Sequence, residues 1–164
     1  MGLYYNNLML KLEIPGRGVL YLEHLVTDVN GTIAIDGELI NGVKECIQRL
    51  RGILDIHIVT ANTHGRQHII DDILLVKSTI LKPGNEAYQK AEYVNDLGCD
   101  KVIAIGQGVN DAGMLETATI GISVISKEGL SFEALKNSDL IVPDILTAFA
   151  LIENPKRIIA SLRK

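Results

Sequence analysis

Apolar runs of strand length recur along this chain, and between them the apolar spacing switches to that of a helix. Runs at 25–29, 56–60, 102–105 and 122–125 are rich in Ile, Val, Leu and Ala. Runs of that kind read as strands buried on both faces. Between the first two, Val43, Ile47 and Leu50 mark a helical stripe. Further helices are expected at 68–75, 87–97, 111–117 and 131–136, with short strands at 78–81 and 140–142. Gly98 is a good stop for the helix at 87–97. Strand and helix in alternation predict an α/β fold: a doubly wound, mostly parallel, Rossmann-like sheet with helices on both faces.

The segment 8–23 breaks this pattern. It alternates apolar and polar residues on both sides of Pro15-Gly16-Arg17-Gly18, which reads as a β-hairpin. Its expected place is the sheet edge, outside the parallel core. The chain of 164 residues is expected to form one domain: hairpin, core at 24–142, and a helical tail at 143–164 interrupted at Pro155. No insertion is large enough to add a cap domain over the strand ends. The net charge of -4, with no block of Lys or Arg, argues against nucleic acid or an anionic membrane as partner. No run is long enough to span a bilayer, and the first residues lack the pattern of a signal peptide. Cys46 and Cys99 lie far apart without metal spacing. A reduced, cytoplasmic setting is therefore expected. His24, His57, His64 and His68 show no shared metal spacing either, and His64 and His68 read as a surface pair on a helix.

Chemistry collects where strands end. Asp28-Val29-Asn30-Gly31-Thr32 follows the first apolar run, so Asp28 falls at a carboxyl edge of the sheet, where open α/β sheets bind ligands. Thr60 ends the second run. A lysine follows the third strand, Lys90 being the better match and Lys82 its competitor. Gly106-Gln107-Gly108-Val109-Asn110-Asp111 follows the fourth. A carboxylate can attack phosphorus, while a hydroxyl and an ammonium can hold phosphoryl oxygens. Magnesium takes hard oxygen ligands, and a glycine-rich turn lets amides approach anions. Arg66, in the loop after Thr60, faces either this pocket or solvent.

With these motifs in order, the chain resembles the haloacid dehalogenase (HAD) superfamily, and within it the phosphorylation domain of P-type ATPases. The likeness runs from Leu25 to about Val142, and it is carried most by 90–94 and 102–122. The resemblance implies that Asp28 is the nucleophile that becomes phosphorylated. It implies that the Asn30 carbonyl ligates Mg2+, and that Thr60 and Lys90 contact phosphate. Asp28, Asn30, Gln107 and Asp111 would form the metal set, with Asn110 as the polar residue beside Asp111. Backbone amides near 29–31 would help hold the transferring group.

Two positions depart from the family pattern. HAD phosphatases usually carry Asp where this chain has Asn30, and an amide cannot protonate a leaving group or activate water. General acid–base help is worth ~10²–10⁴-fold. P-type ATPases carry Thr there and still form the phosphoenzyme, so Asn30 weakens hydrolysis more than phosphorylation. Gln107 stands where the family usually has Asp, which removes a negative charge from the metal loop. The expected function is a slow, magnesium-dependent phosphatase acting through an aspartyl phosphate on a phosphorylated small molecule or macromolecule. Without a cap the site is open, or covered by a neighbour in a homo-oligomer. The alternative is a catalytically weakened phosphate-sensing or protein-binding module. With no membrane span and no nucleotide-binding insertion, a transport ATPase is not expected.

Overall fold

A computed structural model describes residues 8–164. The first seven residues of the expected 1–164 domain lie outside that range. Six strands form one sheet: β3 (His24–Thr27), β6 (Asp55–Thr60), β7 (Thr79–Ile80), β8 (Val102–Gly106), β9 (Ile120–Val124) and β10 (Leu140–Val142). Their order is β10-β9-β8-β3-β6-β7, and every pairing is parallel. The chain winds outward from β3 through β6 to β7, then returns to β8 on the other side. The reversal makes the carboxyl end of β3 a topological switch point, where a crevice opens between diverging loops.

Alternation along each strand sends neighbouring side chains to opposite faces. Leu25, Ile58, Ile103 and Ile105 join one core, filled by α1 (Val43–Leu50), α2 (Gln67–Leu74), α6 (Ile145–Glu153) and α7 (Pro155–Leu162). Val26, Val59, Val102 and Ala104 join the other, filled by α3 (Glu86–Leu97), α4 (Ala112–Thr117) and α5 (Phe132–Lys136). Pro155 opens α7 at its first turn, where a missing N–H costs no hydrogen bond.

The N-terminal hairpin, β1 (Leu10–Ile14) paired with β2 (Gly18–Leu22), forms as the sequence predicts but not at the sheet edge. It is a separate two-stranded sheet leading straight into the central strand. Its link is fastened beneath the sheet: Glu23 N–H donates to Lys101 O and Glu23 O accepts from Asp55 N–H, each at 2.9 Å. Leu12, Ile14 and Leu22 extend the first core there. The hairpin thus covers the amino end of the first core, opposite the Asp28 edge.

Between β3 and α1 lies a second small hairpin that the sequence reading missed, β4 (Ala34–Ile35) with β5 (Glu38–Leu39). Asp36 and Gly37 make its turn with φ of 51° and 78°, the paired positive angles of a two-residue hairpin. The Asp-Gly pair was the available signal. This flap is the whole of the insertion after Asp28 among the described residues, so nothing the size of a cap domain stands there. The expected strand at 122–125 begins two residues earlier and ends one earlier, and the expected helix start at 111 is a single 3-10 turn, Val109–Asp111, leading into α4.

Candidate active site

Asp28 is the first residue past β3, and its backbone still belongs to the sheet through Asp28 N–H donating to Ile105 O at 3.1 Å. The chain then turns at once, because Val29 O accepts the N–H groups of Thr32, Ile33 and Ala34, each at 3.0 Å. That turn requires Gly31, whose φ is +77° and whose missing Cβ leaves room for the Gln107 and Glu128 side chains. The result is a carboxylate held at the switch point, only 5% exposed.

Lys90 reaches it from α3. The side chain is fully buried, and Nζ donates to Asp28 Oδ1 and to Asp111 Oδ1, each at 2.6 Å. Lys82 is exposed in the loop before α3, where its backbone N–H donates to Gln89. Of the two lysines left open by the sequence, Lys90 is therefore the one beside Asp28. Asp111 is oriented from its far side: Oδ2 accepts the N–H groups of Gln107 and Gly108 at 2.9 Å each. Gly106 permits this fold-back, since a Cβ there would lie 2.5 Å from Asp111 Cβ.

One ammonium between two buried carboxylates leaves a net negative charge. Burial first, and then Asp111, push the Asp28 carboxyl up to about 6, against the opposing pull of Lys90. The two carboxylates and burial act oppositely on Lys90, and the net effect raises its pKa so that it stays charged. Excess negative charge beside hard oxygen donors is the electrostatic condition for a divalent cation. The residues present fit one: Lys90 links the Asp28 and Asp111 carboxylates, and the Gln107 amide of the same loop meets the Asn30 carbonyl two residues past Asp28.

Asn30 is partly exposed beyond Asp28, and Gln107 Nε2 lies 3.4 Å from its carbonyl oxygen. The amide thus occupies the flank where the resemblance implies a metal-loop acid. Thr60 is fully buried at the end of β6, and its Oγ1 accepts Asn62 N–H at 3.0 Å. Accepting that bond leaves the hydroxyl proton to be donated elsewhere. Thr32, absent from the expected set, places its hydroxyl 3.4 Å from Asp28 Oδ2. The amide group expected near 29–31 is smaller than the sequence implied, because Gly31 N–H donates to Ala34 O at 2.7 Å. Arg66 is exposed, and with Asn30 and Asn62 it lines a narrow cleft beside the site. Asn110 lies in the 3-10 turn before Asp111.

Sequence reasoning missed Glu128. Its Oε1 accepts Asp36 N–H at 3.1 Å, and Oε2 would lie 3.1 Å from a Cβ on Gly31. No local motif marks it, since it comes from the loop after β9, about a hundred positions away. The histidine readings also change. His64 precedes α2 instead of sharing its helix with His68, whereas His24 and His57 meet across adjacent strands.

The sheet order, the switch-point aspartate and the buried lysine that bridges it to the fourth-strand loop give the chain the fold seen in phosphatases of the HAD superfamily. In sequence it belongs to one family with MJ0073, an uncharacterized protein of Methanocaldococcus jannaschii, at 37% identity over 86 residues, covering 50% of this chain and 92% of that one. It is also 30% identical over 139 residues to the probable copper-importing P-type ATPase A of Enterococcus hirae, a match that spans 80% of this chain but only 19% of the ATPase. Its fold is similar to that of the 3-deoxy-D-manno-octulosonate 8-phosphate phosphatase of Moraxella catarrhalis, solved with magnesium, phosphate and KDO. The TM-score is 0.63 at 18% identity, over 87% of this chain and 94% of that one. No family model matches the chain. Among the described residues no helix is long and apolar enough to cross a membrane.

Proposed function

We propose that this chain is a magnesium-dependent phosphohydrolase working through an aspartyl phosphate on Asp28. The observation that carries the reading is the buried Lys90 ammonium, 2.6 Å from both Asp28 and Asp111, at the carboxyl end of the central strand. Lys90 favours the ionised form of Asp28 and occupies Oδ1, which leaves Oδ2, with the Thr32 hydroxyl 3.4 Å away, as the attacking oxygen. That oxygen attacks phosphorus in line, the bond from phosphorus to the leaving oxygen breaks, and the leaving oxygen takes its proton from water because Asn30 has none to give. Thr60 donates its hydroxyl proton to a phosphoryl oxygen. Water then attacks phosphorus, Asp28 departs as carboxylate, and inorganic phosphate is released. Mg2+, held by Asp28, the Asn30 carbonyl, Asp111 and Gln107, would neutralise phosphoryl charge.

The Moraxella phosphatase that shares the fold was solved with magnesium and phosphate, which supports a phosphorylated substrate here. The short flap leaves the site open to a phosphorylated small molecule or macromolecule. Beside it, Thr32, Ile35, Ile40 and Leu146 line an apolar cleft of about 180 Å³ that suits an apolar leaving group. Hydrolysis of an aryl phosphate with Mg2+ tests the proposal. Activity lost in Asp28→Asn and raised in Asn30→Asp, by up to ~10²–10⁴-fold, is the expected result. Absence of activity in wild type and in an Asn30→Asp/Gln107→Asp variant alike refutes it.

A second reading follows from Gln107, whose amide sits against the Asn30 carbonyl. It is a phosphate-sensing or protein-binding module with weakened catalysis. Beryllium fluoride separates the two: binding that needs Mg2+ and Asp28 supports the phospho-acceptor, and its absence supports the module.

A further inference from the structure

At the opposite end of the same strands, three ligand-type side chains converge. His24 opens β3, and Asp55 and His57 lie on β6. The parallel register sets His24 beside Asp55 and Val26 beside His57. Positions 24, 26, 55 and 57 share the α3 face of the sheet, so His24, Asp55 and His57 project to one side. His24 Nδ1 lies 3.1 Å from His57 Nε2. Asp55 Oδ2 lies 3.2 Å from His57 Nε2 and 3.8 Å from His24 Nδ1. A triangle with those sides has a circumscribed radius of about 2.0 Å, which is the bond length of zinc to imidazole nitrogen and carboxylate oxygen.

The outer surroundings of this triangle also match a metal centre. His57 Nδ1 is 2.9 Å from the Tyr93 hydroxyl on α3. When Nδ1–H donates to Tyr93, Nε2 faces the triangle as a bare lone pair, the arrangement by which a bound histidine is oriented from behind. That lone pair and the Asp55 carboxylate are then both acceptors, 3.2 Å apart. The single proton on His24 Nδ1 satisfies one of them and leaves the other facing like charge density, whereas a cation satisfies all three. His24 and His57 are largely covered, at 19% and 15% side-chain exposure, while Asp55 is 63% exposed. Three donors therefore close the protein side, and the fourth position opens to water.

We propose that His24, Asp55 and His57 form a binding site for a first-row divalent cation of zinc type. Two imidazoles and one carboxylate favour zinc, copper, nickel or cobalt over magnesium, which prefers oxygen alone. The site is separate from the Asp28 centre: Asp28 comes four positions after His24, about 13 Å along the strand. Bound metal ties the amino ends of β3 and β6 together, and through Tyr93 it ties them to α3.

The test is zinc binding by the full chain after chelation, followed by calorimetry, with Co2+ absorption as the ligand-field readout. Wild type is expected to bind one Zn2+ at this site and to show a Co2+ spectrum of nitrogen and oxygen ligands without a thiolate band. Exposed Asp55→Ala is the variant safest for folding, and it is expected to lose at least about tenfold in affinity. His24→Gln is expected to lose more, while Asp28→Asn and His64→Ala retain wild-type affinity. No zinc binding by wild type, unchanged binding in both Asp55→Ala and His24→Gln, or a thiolate band would overturn the assignment.

Discussion

Replacing Lys90 with methionine keeps the length of the side chain and removes the ammonium between two buried carboxylates. Nζ contacts Asp28 and Asp111 at 2.6 Å each, and all three residues are shielded from water. Removing one partner of a buried ion pair costs about 3–5 kcal/mol, because the remaining charge is neither solvated nor paired. Here two carboxylates are stranded together, which places the variant near the upper end of that range. At about 2–4 °C per kcal/mol for a chain of this size, the melting temperature should fall by roughly 6–20 °C near neutral pH. The deficit also has a predicted sign with pH. Without Lys90 the pull that lowers the Asp28 pKa is gone and it rises further above its unfolded value, so the folded variant gains protons on acidification and its deficit shrinks between about pH 8 and pH 5. Urea unfolding followed by circular dichroism at both pH values reads this directly. A Lys90→Met/Asp28→Asn double variant should recover at least half of the loss, since Asp28 then carries no charge. A single variant within about 1 kcal/mol of wild type, or one whose deficit grows on acidification, would refute the electrostatic account of the site.

Two further outcomes follow from the same geometry. Asp28 has a folded-state pKa raised to about 6 by burial and by Asp111, so its contribution to stability is present below its unfolded value of about 4 and is lost as pH rises through about 6. Asp28→Asn should lack that loss and gain on wild type across the window; superimposable pH–stability curves for the two proteins would contradict it. Gly106→Ala sets a methyl group 2.5 Å from Asp111 Cβ. It should cost about 1–3 kcal/mol by overpacking and displace Asp111 from Lys90, measurable as lower stability together with lower aryl phosphatase activity.

What the sequence alone determined was local. Runs such as 102–105 and stripes such as Val43, Ile47 and Leu50 carry their own periodicity, and from them the order of strands and helices was legible. Asp28, Thr60 and Asp111 were legible because each ends a strand or follows one within a few residues, and a parallel sheet gathers such ends on one edge. Asp36-Gly37 carries an equally local hairpin-turn signal. Tertiary structure decided what depends on contacts between segments distant in sequence. Only the packing of α3 onto the sheet separates Lys90 from Lys82, since one lies just before that helix and the other in its second turn. Only the fastening of Glu23 between Lys101 and Asp55 places the hairpin beneath the central strand. His24, Asp55 and His57 meet through the register of β3 on β6, and a slip of one residue would send His57 to the other face. Hydrophobic spacing fixes which face of a strand is buried, but proximity across strands comes from the pairing itself.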